Sequence, residues 1–220
     1  MNCFVGIDIQ TSRGCPFAII DANGVVIDDG WIQQSNPAQM VADLRDAVRA
    51  CVPADSSIAL AVDAPRNPLS EPRKWYWKSD RWRESQLGDQ GAGRHCEIVI
   101  AAHRLANPQW TPCRGPFPGW MELGFMIFQK LGAEFPVFEV FPSASYKMFQ
   151  SAKNTTISIR LGRLAPGPKD MLDAYIAAAT LREFLQGRGC EVGDGDGLGS
   201  IILPLPLGNP IDKVLSWPPR

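Results

Sequence analysis

Five acidic side chains stand where carboxylates can do chemistry. Asp8 ends the apolar run Cys3-Phe4-Val5-Gly6-Ile7, and Asp63 ends the run from Ile58 to Val62. Glu139 lies inside Pro136 to Phe141, one step earlier in its run than the other two. Asp170 and Asp173 stand three residues apart in a helical pattern, so they share one face. Carboxylates on neighbouring strand ends lie about 4.8 Å apart, and they ionise together only at a cost unless a cation sits between them. Oxygen-only ligands select hard cations, with Mg²⁺ or Mn²⁺ the natural choice. Two such ions about 3.5–4 Å apart can hold the attacking and leaving oxygens of a phosphodiester in line. Each acid also has an ordinary reading, since a strand-end Asp forms turns and Asp170 suits a helix start. Repetition on successive strands favours chemistry, as does Asp173, which gains nothing from packing before Ala174-Tyr175-Ile176.

The positioning elements follow from periodicity. Residues 3–9 read as a buried strand, 17–21 as a second and 25–31 as a third, with Asn23-Gly24 as a hairpin turn. Pro37 opens a helix whose apolar positions are Met40, Val41, Leu44, Ala47, Val48 and Cys51. Residues 58–63 are a continuous apolar strand. A strand, helix and strand in succession imply a right-handed crossover, placing the fourth strand parallel to the first at a switch point where ligands bind. A further short strand spans 136–141 and is closed by Pro142. Asp170 to Leu185 is the strongest helix, stopped at Gly187. Ser200 to Leu203 is a last strand-like piece. The chain reads as one α/β domain over residues 1–220, with residues 66–135 as an inserted helical or irregular segment.

Charge is uneven within a net −1. From Arg66 to Arg114 nine Lys/Arg face five acids, interleaved with Trp75, Tyr76, Trp77, Trp82 and Trp110. Such a mixture suits phosphate contact and base stacking, or else an insertion folded around its own tryptophans. Nucleic acid, structured or branched, is the expected partner, with Arg66, Arg94 and Arg114 as phosphate contacts. Six scattered cysteines and two histidines lack zinc-site spacing. No apolar run approaches the roughly 20 residues of a membrane span, and no export signal is read at Met1 to Phe4. A cytoplasmic, membrane-free protein is expected. Gly193-Asp194-Gly195-Asp196-Gly197 lacks the lysine of a phosphate loop.

In sum of its motifs the chain resembles the domain of unknown function 429 group, described as predicted nucleases with a ribonuclease-H-like fold. The resemblance rests on Gly6-Ile7-Asp8, Val62-Asp63-Ala64-Pro65, Arg94-His95-Cys96-Glu97, Glu139-Val140-Phe141-Pro142, Leu172-Asp173-Ala174 and Gly199-Ser200-Ile201-Ile202-Leu203-Pro204. It implies a ribonuclease-H-like mixed sheet in the order 3-2-1-4-5, flanked by helices. It also implies a metal-dependent phosphodiester hydrolase with Asp8, Asp63 and Asp173 as metal ligands. Glu139 and Asp170 would be an extra ligand or an orienting partner. Two other functions fit the same residues. One is a non-catalytic binding or scaffold protein on this fold. The other is a phosphotransfer enzyme, since Asp8-Ile9-Gln10-Thr11-Ser12 is similar to the first phosphate loop of actin-like kinases.

Overall fold

Strand β1 (Asn2–Asp8) is buried along all but its first residue, as a central strand must be. It pairs antiparallel with β2 (Cys15–Asp21), which pairs antiparallel with β3 (Val26–Ile32). Gly24 closes the β2–β3 turn at φ 81°, a conformation glycine adopts without strain. Helix α1 (Pro37–Cys51) begins with Pro37 in its first turn, and Asn36 accepts the Gln39 N–H at 3.0 Å. Its buried Met40, Val41, Leu44 and Val48 each contribute about 1.5–3 kcal/mol by leaving water. The chain returns as β4 (Ser57–Asp63), parallel to β1 in the register Asp8 opposite Asp63.

A computed structural model describes residues 1–152 and 156–218. After β4 come a hairpin, β5 (Trp75–Lys78) and β6 (Arg81–Glu84), then α2 (His95–Ala102) and α3 (Gly119–Leu131). Strand β7 (Val137–Val140) is followed at once by α4 (Pro142–Phe149), then by α5 (Pro168–Leu185). Strands β8 (Cys190–Val192) and β9 (Ile201–Leu203) and the short α6 (Asp212–Leu215) complete the chain. Among the described residues the main sheet is mixed, with seven strands in the order β3-β2-β1-β4-β7-β9-β8.

This corrects the expected five strands in the order 3-2-1-4-5. The sheet continues past β7 through β9, parallel to β7, and β8, antiparallel to β9. The strand-like piece at 200–203 is β9, placed in the main sheet, whereas β8, three residues long, is too short for a periodicity to show. The insertion holds helices α2 and α3, as a helical segment should, and adds a hairpin in which β5 and β6 pair through Ser79 and Asp80, both at positive φ. Pro142 starts α4 rather than merely closing a strand.

Alternation along the strands sorts the core into two layers. Odd-numbered β1 residues Val5 and Ile7, with Leu60 and Val62 of β4, pack on α1 and α3. Even-numbered Phe4, with Ala59 and Ala61 of β4, packs on α5 through Ala177, Ala178 and Leu181. Gly6 makes the second layer thin. A Cβ there would lie 1.9 Å from the Ala174 carbonyl oxygen and 2.4 Å from the Ala178 nitrogen. The missing side chain and the small alanines let α5 lie directly on β1. That contact brings Asp173, next to Ala174, down to the end of β1 where Asp8 stands. A third apolar cluster, from α2, α4, β9 and α6, covers the β9–β8 edge. Among the described residues no helix is long and apolar enough to cross a membrane.

Candidate metal centre

Asp8 and Asp63 share the α5 face of the sheet with Gly6 and Ala61, because side chains two residues apart point the same way. Register sets them side by side, and α5 supplies Asp173 from above. Asp8, Asp63 and Asp173 each offer a carboxylate oxygen within 4.8 Å of the other two. Asp8 and Asp173 are buried, while Asp63 keeps partial access. The three line a cleft of about 430 Å³ with Gln10, Thr11, Trp120, Phe141 and Lys169 among its walls.

The local polar contacts only partly satisfy this cluster. Gln10 Nε2 donates to Asp8 Oδ2 at 2.8 Å. The loop carrying Gln10 is held by Cys15, whose Sγ accepts the Gln10 N–H at 3.2 Å. Lys169 Nζ contacts Asp173 Oδ2, one helical turn along α5. Asp173 Oδ1 is buried without a well-formed hydrogen bond, although Tyr146 of α4 is near enough for Asp173 to act on its phenol. Burial, then the neighbouring Asp173, pushes the Asp8 carboxyl up to about 7 despite the Gln10 hydrogen bond. Burial and the charge of Asp8 also push Asp63 well above the usual carboxylate range. Burial, followed by the charge of Asp173, raises the Tyr146 phenol as well.

Full ionisation of the three carboxylates against one ammonium would leave two negative charges uncompensated. A divalent cation cancels that excess, and the bare Asp173 Oδ1 is a ligand atom in want of a partner. The triad could therefore hold a metal ion, through oxygen donors alone.

The other expected residues do not join the triad, although Asp170, Glu139 and Arg94 border the same cleft. Asp170 lines the same cleft but is paired with Arg13, whose Nε is 2.8 Å from Asp170 Oδ2. Glu139 sits on β7 opposite Val62, one step short of Asp63. Its strand neighbours Phe138 and Val140 pack on the α5 layer, so Glu139 points to the opposite face. There both oxygens are taken. Arg94 grips them with a forked guanidinium, Nη1 reaching Oε2 at 2.7 Å, and the Arg66 N–H donates to Oε2 at 2.8 Å.

Arg94, expected to contact phosphate, is instead fully buried at 1% exposure. Its Nε donates to Glu97 Oε1 at 3.0 Å, and Thr111 N–H closes the network onto Glu97 Oε2 at 3.0 Å. Arg66 turns its guanidinium back to the Val137 carbonyl at 2.6 Å and over the Phe128 ring, lining a separate groove. Arg114 is exposed and outside the cleft, at φ 63°.

Trp77 and Trp82 serve packing within the insertion and against the C-terminal segment. Trp82 donates to the Lys213 carbonyl at 2.7 Å and packs edge-on against Trp77 and Trp217. Arg73 lies over Tyr76 and Trp110, and Arg83 pairs with Asp89 at 2.7 Å. Two residues beside the triad were not expected from the sequence, Lys169 in the cleft and Tyr146 next to Asp173. Only Lys169 carried a signal, its spacing of four residues from Asp173. Comparison of the chain with protein-family models, with curated proteins and with solved structures gave no match.

Proposed function

We propose that the protein is a Mg²⁺- or Mn²⁺-dependent nuclease that hydrolyses phosphodiester bonds at the Asp8–Asp63–Asp173 cleft. The observation that carries this reading is the convergence of three carboxylates, from two adjacent strand ends and a crossing helix, on one point inside a cleft. A bound divalent ion supplies Lewis acidity, which lowers the pKa of a water and neutralises charge on phosphoryl oxygens. Asp8, Asp63 and Asp173 would hold the ion. Gln10 fixes the Asp8 carboxylate through its 2.8 Å hydrogen bond. A two-ion form would recruit Asp170 from its pairing with Arg13. Trp120 offers a ring on the cleft wall against which a base could stack.

The arrangement of β3-β2-β1-β4-β7, an antiparallel meander joined to parallel strands, supports a ribonuclease-H-like origin, with β9 and β8 as an extension. The kinship with the domain of unknown function 429 group is proposed on the same grounds. The test incubates pure protein with Mn²⁺ and branched, duplex and single-stranded nucleic acids. Metal-dependent cleavage that the Asp8→Asn, Asp63→Asn double variant lacks is the expected result. Cleavage no greater than that of the variant refutes it, and intact Mn²⁺ binding without cleavage would point to a non-catalytic binding protein.

A further inference from the structure

Lys169 stands in an unfavourable place for a lysine. It occupies the first turn of α5, directly after Pro168, where unpaired N–H groups and the helix dipole disfavour a positive charge. What compensates is Asp173, whose Oδ2 its ammonium contacts. That contact uses one of the two Asp173 oxygens, while the other, near the Tyr146 phenol, is buried without a well-formed hydrogen bond. The lysine is therefore a cation already seated on one of the three carboxylates a metal ion would need.

The seat is easily vacated. The Lys169 side chain is 75% exposed, against 7% for Asp173, so it can rotate into the cleft without repacking the core. Arg13, which pairs with Asp170 at the same cleft, is also partly exposed at 49%, but the buried basic group nearby is built differently. Arg94 is clamped by Glu97 and Glu139 with no exposure to speak of. A lysine offers a compact charge on a flexible stem, with no planar fork to hold it in one geometry.

We propose that Lys169 is a resident counter-ion of the metal centre. It holds Asp173 in the ion-free protein, is displaced when a divalent ion binds the triad, and then turns its ammonium to the anionic phosphate of the substrate at the cleft wall. This rests on the nuclease reading of the same cleft and adds to it an exchange of cations that couples metal loading to phosphate binding. Without the lysine the triad is more open to metal, and the loaded site is poorer in positive charge.

The experiment measures Mn²⁺ binding by calorimetry for the wild type, Lys169→Met and Lys169→Gln, then inorganic phosphate binding to each Mn²⁺-loaded protein. Removing a competing ammonium worth no more than an exposed ion pair should tighten Mn²⁺ binding roughly two- to fivefold, and phosphate binding should weaken by at least as much. Two replacements guard against one that misfolds, and thermal melting confirms that each is folded. Unchanged or weaker Mn²⁺ binding in both variants overturns the exchange, while the wild-type protein binding Mn²⁺ leaves the metal centre standing. Phosphate binding that is unaltered also overturns it. If neither wild type nor variants bind Mn²⁺, the metal centre and the exchange fall together.

Discussion

Replacing Asp8 by asparagine should stabilise the ion-free protein and abolish its response to metal. Burial holds the Asp8 carboxyl at about 7 in the folded chain, against 3.8 for a free side chain. A folded-state value above the unfolded one means that the stabilisation is complete below pH 3.8 and is lost as pH rises through about 7. Each tenfold difference in proton affinity is about 1.4 kcal/mol, so the loss approaches about 4 kcal/mol above that window. Asparagine cannot ionise and escapes it. At pH 8 without metal, Asp8→Asn should melt higher by about 8–16 °C, since 1 kcal/mol moves a chain of this size by about 2–4 °C. At pH 4 the two proteins should melt within about 2 °C of each other, because both side chains are then neutral. Mn²⁺ should close most of that gap at pH 8, adding about 2.7 kcal/mol to the wild type at a hundred times its dissociation constant and little to the variant. Differential scanning fluorimetry across pH, with and without Mn²⁺, reads all three arms. A variant less stable than wild type at pH 8, or one that Mn²⁺ stabilises equally, would refute the reasoning.

Three other perturbations separate the cluster from its surroundings. Glu139→Gln should cost about 3 kcal/mol in denaturant unfolding, because it leaves the buried Arg94 charge half compensated, yet Mn²⁺ affinity should not change. Gly6→Ala forces a methyl into the Ala174 carbonyl. It should destabilise by at least about 1–3 kcal/mol and weaken Mn²⁺ binding about tenfold, as Asp173 is lifted from Asp8; retained affinity would contradict the close-approach argument. His95 accepts the Gly195 N–H on Nδ1 at 2.9 Å, so its Nε2 carries the proton it donates to the Val214 carbonyl at 2.8 Å. Burial depresses its pKa below the ordinary 6.5, so its contribution is present above pH 6.5 and lost as pH falls. His95→Gln should flatten the acid limb of the stability curve, and hydrogen exchange at Gly195 should rise below pH 6 only in the wild type.

Much of the scaffold was readable because its signals are local. The meander, α1, β4 and α5 each carry a run or a helical stripe long enough to identify, and the register that pairs Asp8 with Asp63 follows from the crossover. Glu139 shows the limit. It looked like a third strand-end acid, but its place one residue earlier in the strand turns it to the other face, toward Arg94. Arg94 itself looked like a surface cation within a basic stretch. Nothing local announces that two distant acids, Glu97 and Glu139, bury it. Composition likewise suggested base-stacking tryptophans, where Trp82 instead docks on the C-terminal segment at Lys213 and Trp217. Long-range pairing decided each of these, and one-dimensional spacing does not encode it. Gly6 is the counter-example in which a single residue type, read with the alanines of α5, accounts for how a helix reaches a strand.

Crystals grown with Mn²⁺ and measured at its absorption edge test the central claim most directly. An anomalous peak bonded to oxygens of Asp8, Asp63 and Asp173, with the Lys169 ammonium moved off Asp173, is the predicted result. No peak between those carboxylates in Mn²⁺-saturated crystals, or one bound only at other side chains, would contradict it.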